Sequence, residues 1–288
     1  MHITRRTFMQ ASLCAAAAAS AARADAPQAP FLFGMCVGPD KAERLKALGY
    51  DFIEGGVGGT LKPHVSDADF APELEKLRAC ALPTRSCNGF LPKELTLTGP
   101  ETRHDDALAY AVTACRRADA AGISVLVFGS GGARNAPKDF DIEKAKTQFI
   151  EFNKRLGAAI ADLKVTVLLE PLNKAEANYL TTVAEGAEMV DAVAQPRIQL
   201  IADIYHMRKD GESPDSIRKA GARIRHCHIA ELDRRAPGAK GDDFRDYFKA
   251  LRDIGYTGGV SCECGWPKEN VAEAWEKALS TLREQSRA

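Results

Sequence analysis

The sequence predicts a single (β/α)8 TIM barrel of the α/β class, and three observations support that prediction. Short apolar segments of strand character alternate with amphipathic helical segments along the chain. Eight such pairs fit within residues 27–288, with no linker or low-complexity stretch between them. The segment 165–169 consists of β-branched residues and leucines, as expected for a parallel strand buried on both faces. An open, doubly wound sheet is the alternative that this alternation allows.

The strands are predicted where short runs of apolar and β-branched residues end in glycine, proline or a charged residue. Glycines at 49, 122 and 255 are expected to end three of the helices. The predicted strands cover residues 31–37, 50–54, 82–87, 124–128, 165–169, 198–202, 224–229 and 259–262. The predicted helices cover residues 40–48, 72–80, 101–121, 142–160, 183–194, 214–220, 242–254 and 271–283.

The N-terminal segment 1–26 has the features of a twin-arginine signal peptide. Arg5 and Arg6 precede an alanine-rich apolar run, and Ala24-Asp25-Ala26 offers a cleavage site after Ala26. The apolar run is too short to persist as a membrane-spanning helix. We therefore expect a signal peptide over 1–26, a barrel over 27–288, a periplasmic mature protein, and the twin-arginine export machinery as a partner. A disordered alanine-rich terminus is the alternative.

The charge balance excludes some partners. Lys and Arg number 39, as do Asp and Glu, so the formal net charge is zero. Without a basic run the chain lacks the electrostatic footprint of a protein that binds nucleic acid or an anionic membrane. The eight cysteines contain no Cys-x-x-Cys pair, and we expect buried free thiols because the twin-arginine route exports proteins folded in a reducing cytoplasm. A homo-oligomer is compatible with this composition.

Four strand ends carry residues suited to a metal ion. Glu170, Asp203, His228 and Glu263 close the fifth to eighth predicted strands, and chemistry in a barrel sits at these carboxyl ends. Buried carboxylates are costly without a partner, so their convergence calls for a cation. Three carboxylates and one imidazole form a mostly oxygen donor set that favours Mn²⁺ or Mg²⁺, with Zn²⁺ or Co²⁺ as alternatives.

The seventh strand and its loop contain the densest cluster of functional residue types. His226 and His228 alternate with Cys227 and therefore share one face of the strand. We expect His226 to lie one layer below the metal, either as a core residue or as a hydrogen-bond partner of a ligand. The loop then carries Glu231, Asp233 and two arginines.

Three further residues follow or end other strands. Glu54 ends the second strand and is expected to orient either a substrate hydroxyl or a hydrogen-bond network within the barrel. Asn88 follows the third strand and is expected in the pocket wall. The glycine-rich segment 129–134 lacks the Lys-Ser/Thr of a P-loop, so we interpret it as a flexible pocket loop in which Arg134 contacts an anion or a sugar.

The motifs Glu170-Pro-Leu-Asn-Lys-Ala-Glu176, Asp203-Ile-Tyr-His206 and His228-Ile-Ala-Glu-Leu-Asp-Arg234, together with Glu263, resemble the xylose isomerase-like superfamily, specifically its ketose 3-epimerase branch. The resemblance covers nearly all of residues 27–288. It implies one divalent metal bound by the matching Glu, Asp, His and Glu, with the two glutamates also acting as acid and base. It further implies a carbohydrate substrate that is contacted by His206, Arg234 and Glu176.

The chemistry of these residues supports the same expectation. Removing a proton from a carbon beside a carbonyl needs a base and an electrophile for the developing oxyanion, so a metal with Glu170 and Glu263 would suit a sugar isomerase or epimerase. The alternative role of both glutamates is ligation alone. An alternative function is a lyase or dehydratase acting on a 3-keto glycoside or an inosose. A phosphodiesterase with a three-metal cluster needs more histidines than the six present, and a non-catalytic sugar-binding protein has no need of paired glutamates.

Overall fold

Eight parallel strands, each hydrogen-bonded to its neighbours in sequence order, close into a barrel in the computed structural model. The structure describes residues 31–288, so the predicted signal peptide and its cleavage site lie outside the described residues. Strand β1 pairs with both β2 and β8, and this pairing closes the sheet. The TIM-barrel prediction is therefore confirmed, and the open-sheet alternative is wrong.

The strands lie close to their predicted positions. They are β1 (Leu32–Cys36), β2 (Phe52–Gly56), β3 (Thr84–Asn88), β4 (Val125–Phe128), β5 (Thr166–Leu169), β6 (Ile198–Asp203), β7 (Ile224–Ile229) and β8 (Gly259–Cys262). The helices are α1 (Ala42–Leu48), α2 (Val57–Thr60), α3 (Asp67–Arg78), α4 (His104–Ala121), α5 (Gly131–Arg134), α6 (Ile142–Ala159), α7 (Val183–Val193), α8 (Ile204–Lys209), α9 (Asp215–Ala220), α10 (Arg245–Asp253) and α11 (Val271–Gln285). Single 3₁₀ turns lie at Pro39–Lys41 and Gly221–Arg223, and a tight turn with left-handed backbone lies at Leu232–Arg234.

Helix α3 begins earlier than predicted. Its start at Pro72 was expected, but the Ser66 hydroxyl accepts a hydrogen bond from the Asp69 amide at 3.2 Å and caps the helix one residue before Asp67. Pro72 therefore lies inside the helix. The short helices α2 and α8 follow strands directly, and two residues separate α5 from β4. None of the three was predicted, because each is only four to six residues long.

The interior of the barrel is packed below the carboxyl ends of its strands. Val127, Leu168 and Ile201 form a fully buried cluster, and a larger apolar core joins the strands to the surrounding helices. Phe52 lies against Gly34, where an added Cβ would come within 2.2 Å of its ring. All seven cysteines in residues 31–288 are free thiols, four of them buried and three partly exposed. Within that range no helix combines the length and apolar character needed to cross a membrane.

Candidate active site

The four predicted metal ligands converge at the carboxyl end of the barrel. Strands β5 to β8 bring donor atoms of Glu170, Asp203, His228 and Glu263 within 4.8 Å of one another. The first three residues are buried, and the side chain of Glu263 is 23% exposed. Position at consecutive strand ends was the signal in the sequence, because the ends of parallel strands meet at one edge.

The electrostatics of this cluster fit a divalent cation. Nδ1 of His228 lies 3.1 Å from Glu170 Oε1, 3.7 Å from Glu263 Oε2 and 3.8 Å from Asp203 Oδ2. Burial, together with the nearby Glu263 carboxylate, raises the pKa of Asp203 to about 6, and burial also raises the pKa of Glu170. The structure thus crowds three carboxyl groups around one imidazole nitrogen. This is the donor set of a hard or borderline divalent ion.

Glu54 orients His228 from the opposite side of the imidazole ring. His228 Nε2 donates to Glu54 Oε1 at 2.8 Å, which directs Nδ1 toward the carboxylates of the cluster. Burial lowers the pKa of His228, but the surrounding carboxylates, Glu54 foremost, outweigh it and raise that pKa well above its usual range. His226 Nε2 and the Ser86 hydroxyl donate to Glu54 Oε2 at 2.8 and 2.7 Å. Burial alone would raise the pKa of Glu54, but the two histidines outweigh it and hold that pKa well below its usual range.

This arrangement decides between the roles expected for Glu54 and His226. The side chain of Glu54 is completely buried and is occupied by three donors, so it belongs to the network within the barrel and the substrate-hydroxyl role is wrong. His226 is the hydrogen-bond partner that supports it. Ser86 was missed by the sequence analysis, although it lies two residues before Asn88 and hence on the same face of β3.

Two residues at the mouth of the site hold the carboxylate of Glu263. Asn88 Nδ2 donates to Glu263 Oε1 at 2.9 Å, and Arg234 Nη1 donates to Glu263 Oε2 at 2.9 Å. The Arg234 guanidinium lies over the ring of Tyr205, 4.5 Å from its centroid. Its Nη2 lies 3.2 Å from Glu176 Oε2. Asn88 and Arg234 therefore lie beside the metal ligands, in contact with one of them.

His206 presents a polar atom to the same space. The backbone N–H of Asn173 donates to His206 Nδ1 at 3.0 Å and fixes the orientation of the ring. His206 Nε2 lies 3.6 Å from Asp203 Oδ2 and 3.0 Å from Arg234 Nη2. Asn173 also donates from Nδ2 to Glu176 Oε1 at 2.8 Å. His206 and Arg234 thus meet beside the candidate metal ligands.

The structure corrects the expectation for Arg134. Its guanidinium is fully buried and donates to the carbonyl oxygens of Gly129, Tyr179 and Glu170 at 2.7, 2.9 and 3.1 Å. With its donors directed at backbone oxygens inside the protein, it has no free face for an anion or a sugar. It ties the loop after β4 to the loop after β5, so the segment 129–134 is a packed support rather than a flexible pocket loop.

Gly129 is a site residue that the sequence analysis placed only in a loop. A Cβ added at this position would lie 2.2 Å from Glu170 Oε2. Glycine lets the backbone approach this carboxylate closely, and a larger residue here would displace the Glu170 carboxylate from its place in the cluster. The signal available in the sequence was the glycine directly after a strand.

A closed (β/α)8 barrel with a carboxylate–histidine cluster at its carboxyl end defines a TIM-barrel protein with a candidate site for one divalent metal. The chain belongs to the Xylose isomerase-like TIM barrel family, whose sequence model matches residues 42–285.

Relatives include proteins named as ketose epimerases. The chain is 38% identical over 103 residues to the D-psicose 3-epimerase of Agrobacterium fabrum (strain C58 / ATCC 33970), which is 35% of this chain and 36% of that protein. It is 25% identical over 233 residues to the D-psicose 3-epimerase of Ruminiclostridium cellulolyticum, covering 77% of this chain and 76% of that protein. For the first of these relatives, the match thus spans only about a third of the protein.

Solved structures share the fold. The D-psicose 3-epimerase from Clostridium cellulolyticum H10 with D-tagatose matches with a TM-score of 0.79 and 19% identity, over 88% of this chain and 99% of that one. The apo 3-keto-D-glucoside 4-epimerase from E. coli matches with a TM-score of 0.77 and 20% identity, also over 88% and 99%. At these identities the likeness is one of fold.

Proposed function

We propose that this protein is a divalent-metal-dependent sugar isomerase or epimerase that removes a proton next to the carbonyl of a keto sugar or related polyol. The observation that carries the proposal is the placement of Glu170 and Glu263 in one cluster with His228 and Asp203. The names of the curated relatives support a ketose as the substrate class.

The two glutamates are suited to move a proton to and from carbon. They reach the cluster from β5 and β8, so one can take the proton and the other can return it to the opposite face of the carbon. The buried Glu170, whose pKa burial raises, gains basicity relative to an exposed carboxylate. Glu170, Asp203, His228 and Glu263 would hold Mn²⁺ or Mg²⁺, or Zn²⁺ or Co²⁺ as alternatives, and the positive charge of that ion would polarise the substrate carbonyl.

The residues around the glutamates would bind and orient the sugar. His206 and Arg234 lie beside the cluster, and their nitrogen atoms would contact substrate oxygens by exchanging their present contacts with each other and with Glu263 and Glu176. Glu176, anchored by Asn173, can accept from a hydroxyl. Asn88 acts with Arg234 to hold the Glu263 carboxylate in one orientation.

A second candidate function uses the same residues. Proton removal beside a keto group can be followed by elimination, which would make the protein a lyase or dehydratase acting on a 3-keto glycoside or an inosose. The named activity of the 3-keto-D-glucoside 4-epimerase neighbour favours this substrate class as the alternative to a free ketose.

Solvent exchange at carbon tests the proposal. Protein loaded with Mn²⁺ in deuterated water, incubated with D-psicose, D-fructose and D-tagatose, is expected to introduce deuterium at one carbon beside the carbonyl. Mass spectrometry and NMR measure the label and the epimer formed, with metal-free protein as the control. Turnover without any carbon-bound deuterium would contradict a mechanism that exchanges its proton with solvent. Release of an aglycone or of water from a 3-keto glycoside or an inosose would favour the lyase.

We also propose that residues 1–26 direct export to the periplasm by the twin-arginine machinery. Replacing both arginines, as Arg5→Lys together with Arg6→Lys, should leave the uncleaved precursor in the cytoplasm, because the export machinery reads the arginine pair as its address signal. Cell fractionation with an antibody to the protein measures the distribution. Equal amounts of periplasmic protein from the variant and the native sequence would contradict this assignment.

A further inference from the structure

The loop that follows β7, residues 231–242, is built around one buried carboxylate. Glu231 is 1% exposed, and it accepts hydrogen bonds from four backbone N–H groups of its own loop. The donors are Gly238 at 2.8 Å, Lys240 at 2.6 Å, Gly241 at 3.1 Å and Asp242 at 3.2 Å. Among residues 31–288 no cationic side chain pairs with this carboxylate, so the backbone alone stabilises its charge.

The same loop holds Arg234 in an unfavourable backbone conformation. Asp233 and Arg234 are consecutive non-glycine residues with φ of 68° and 52°, in the left-handed region. Residues with a Cβ avoid this region unless the surrounding structure holds them there. The conformation matters because it aims the Arg234 guanidinium at Glu263 and over Tyr205.

The loop contacts explain how the conformation is kept. The Glu231 N–H donates to the carbonyl of Arg235 at 2.9 Å and closes a tight turn around Asp233 and Arg234. The Gly265 N–H donates to the carbonyl of Arg234 at 2.6 Å and ties the turn to the loop after β8. The four bonds to the Glu231 carboxylate then draw residues 238–242 back onto the start of the loop. The turn is thereby held by the loop after β8 on one side and by residues 238–242 on the other.

We propose that Glu231 is a positioning residue that sets the orientation of Arg234 toward the site. This inference rests on the proposed function of Arg234 in binding the sugar. Glu231 itself is directed at the backbone of its own loop and touches neither the metal ligands nor the space beside them. Its effect on catalysis would therefore pass through Arg234.

A double-mutant cycle tests this coupling. In Glu231→Gln the new amide nitrogen opposes a backbone N–H, and the negative charge is lost, so at least one of the four bonds fails. We expect this variant to lower kcat/KM for D-psicose at least tenfold, mainly through KM. In an Arg234→Ala background the same substitution should change kcat/KM less than twofold. Multiplicative losses in the double variant would overturn the proposal.

A second readout does not depend on activity. The amide of Gly265 reports on the turn because it donates to the Arg234 carbonyl, so its hydrogen exchange should accelerate at least tenfold in Glu231→Gln. The matched control is Glu212→Gln. The Glu212 carboxylate also accepts backbone N–H groups, from Val183 and Ala184 at the start of helix α7. Unchanged exchange at Gly265 in Glu231→Gln would overturn the positioning role.

The two readouts separate the failure of this proposal from the failure of the proposed function. If the native protein acts on no keto sugar, the exchange of Gly265 still decides whether Glu231 holds the turn. If Glu231→Gln does not fold, Glu231→Asp keeps the charge but withdraws the carboxylate by one methylene. That variant should accelerate exchange at Gly265 and raise KM in the same direction, and an unchanged Gly265 would again overturn the proposal.

Discussion

Glu170→Gln and Glu263→Gln should each lower turnover by about 10²–10⁴-fold, the usual contribution of a positioned acid or base. Glutamine keeps the shape and one carbonyl oxygen of each side chain but cannot exchange a proton with carbon. Both residues lie in the ligand cluster around His228 Nδ1, at 3.1 Å for Glu170 and 3.7 Å for Glu263. Metal content must therefore be measured together with turnover.

The measurement is kcat and the rate of deuterium incorporation for each variant at saturating Mn²⁺. Glu185→Gln is the control, since its carboxylate accepts the backbone N–H of Thr181 away from the cluster, and it should keep near-native turnover. A Glu170 or Glu263 variant that retains the metal and near-full activity would show that this glutamate only ligates. Loss of turnover in both, with metal retained, supports a two-base scheme.

Removal of the metal should abolish turnover and lower stability. Three carboxylates crowd His228 Nδ1, so binding of a cation to the folded state relieves their repulsion. A ligand that binds only the folded state at about 100 times its Kd adds about 2.7 kcal/mol to the free energy of unfolding. For a domain of this size, each added kcal/mol raises Tm by about 2–4 °C.

Thermal melts with and without EDTA, followed by reloading with Mn²⁺, Mg²⁺, Zn²⁺ or Co²⁺, provide the measurement and rank the metals.

Glu54→Gln should weaken metal affinity by about 10–100-fold, because it disturbs the hydrogen bond that directs His228 Nδ1 toward the carboxylates. Glu73→Gln, a change at a surface residue paired with Lys62 and Lys76, is the control. Equal Tm values in EDTA and in metal would contradict a metal site at this cluster.

The sequence by itself determined the barrel and the ring of strand ends. Each strand and each long helix is encoded largely by the periodicity of its own residues, and the closing residue of a strand can be identified without knowing its neighbours. Glu170, Asp203, His228 and Glu263 could therefore be predicted as one cluster once eight strand–helix units were counted. The shared face of His226 and His228 follows from alternation along β7 in the same way.

Only the tertiary structure decided how side chains meet across strands and loops. The pairing of Glu54 with Ser86 follows a register shift between β2 and β3, and the pairing of Asp203 with His228 follows another between β6 and β7. Arg134 turned inward because three backbone carbonyls from separate segments surround it, and Glu231 became an anchor because its loop folds back over it. Such contacts depend on register and loop path, which are set by residues far apart in the chain. A single stretch of sequence specifies the residue type at a position, but the direction of its side chain is set by these distant partners.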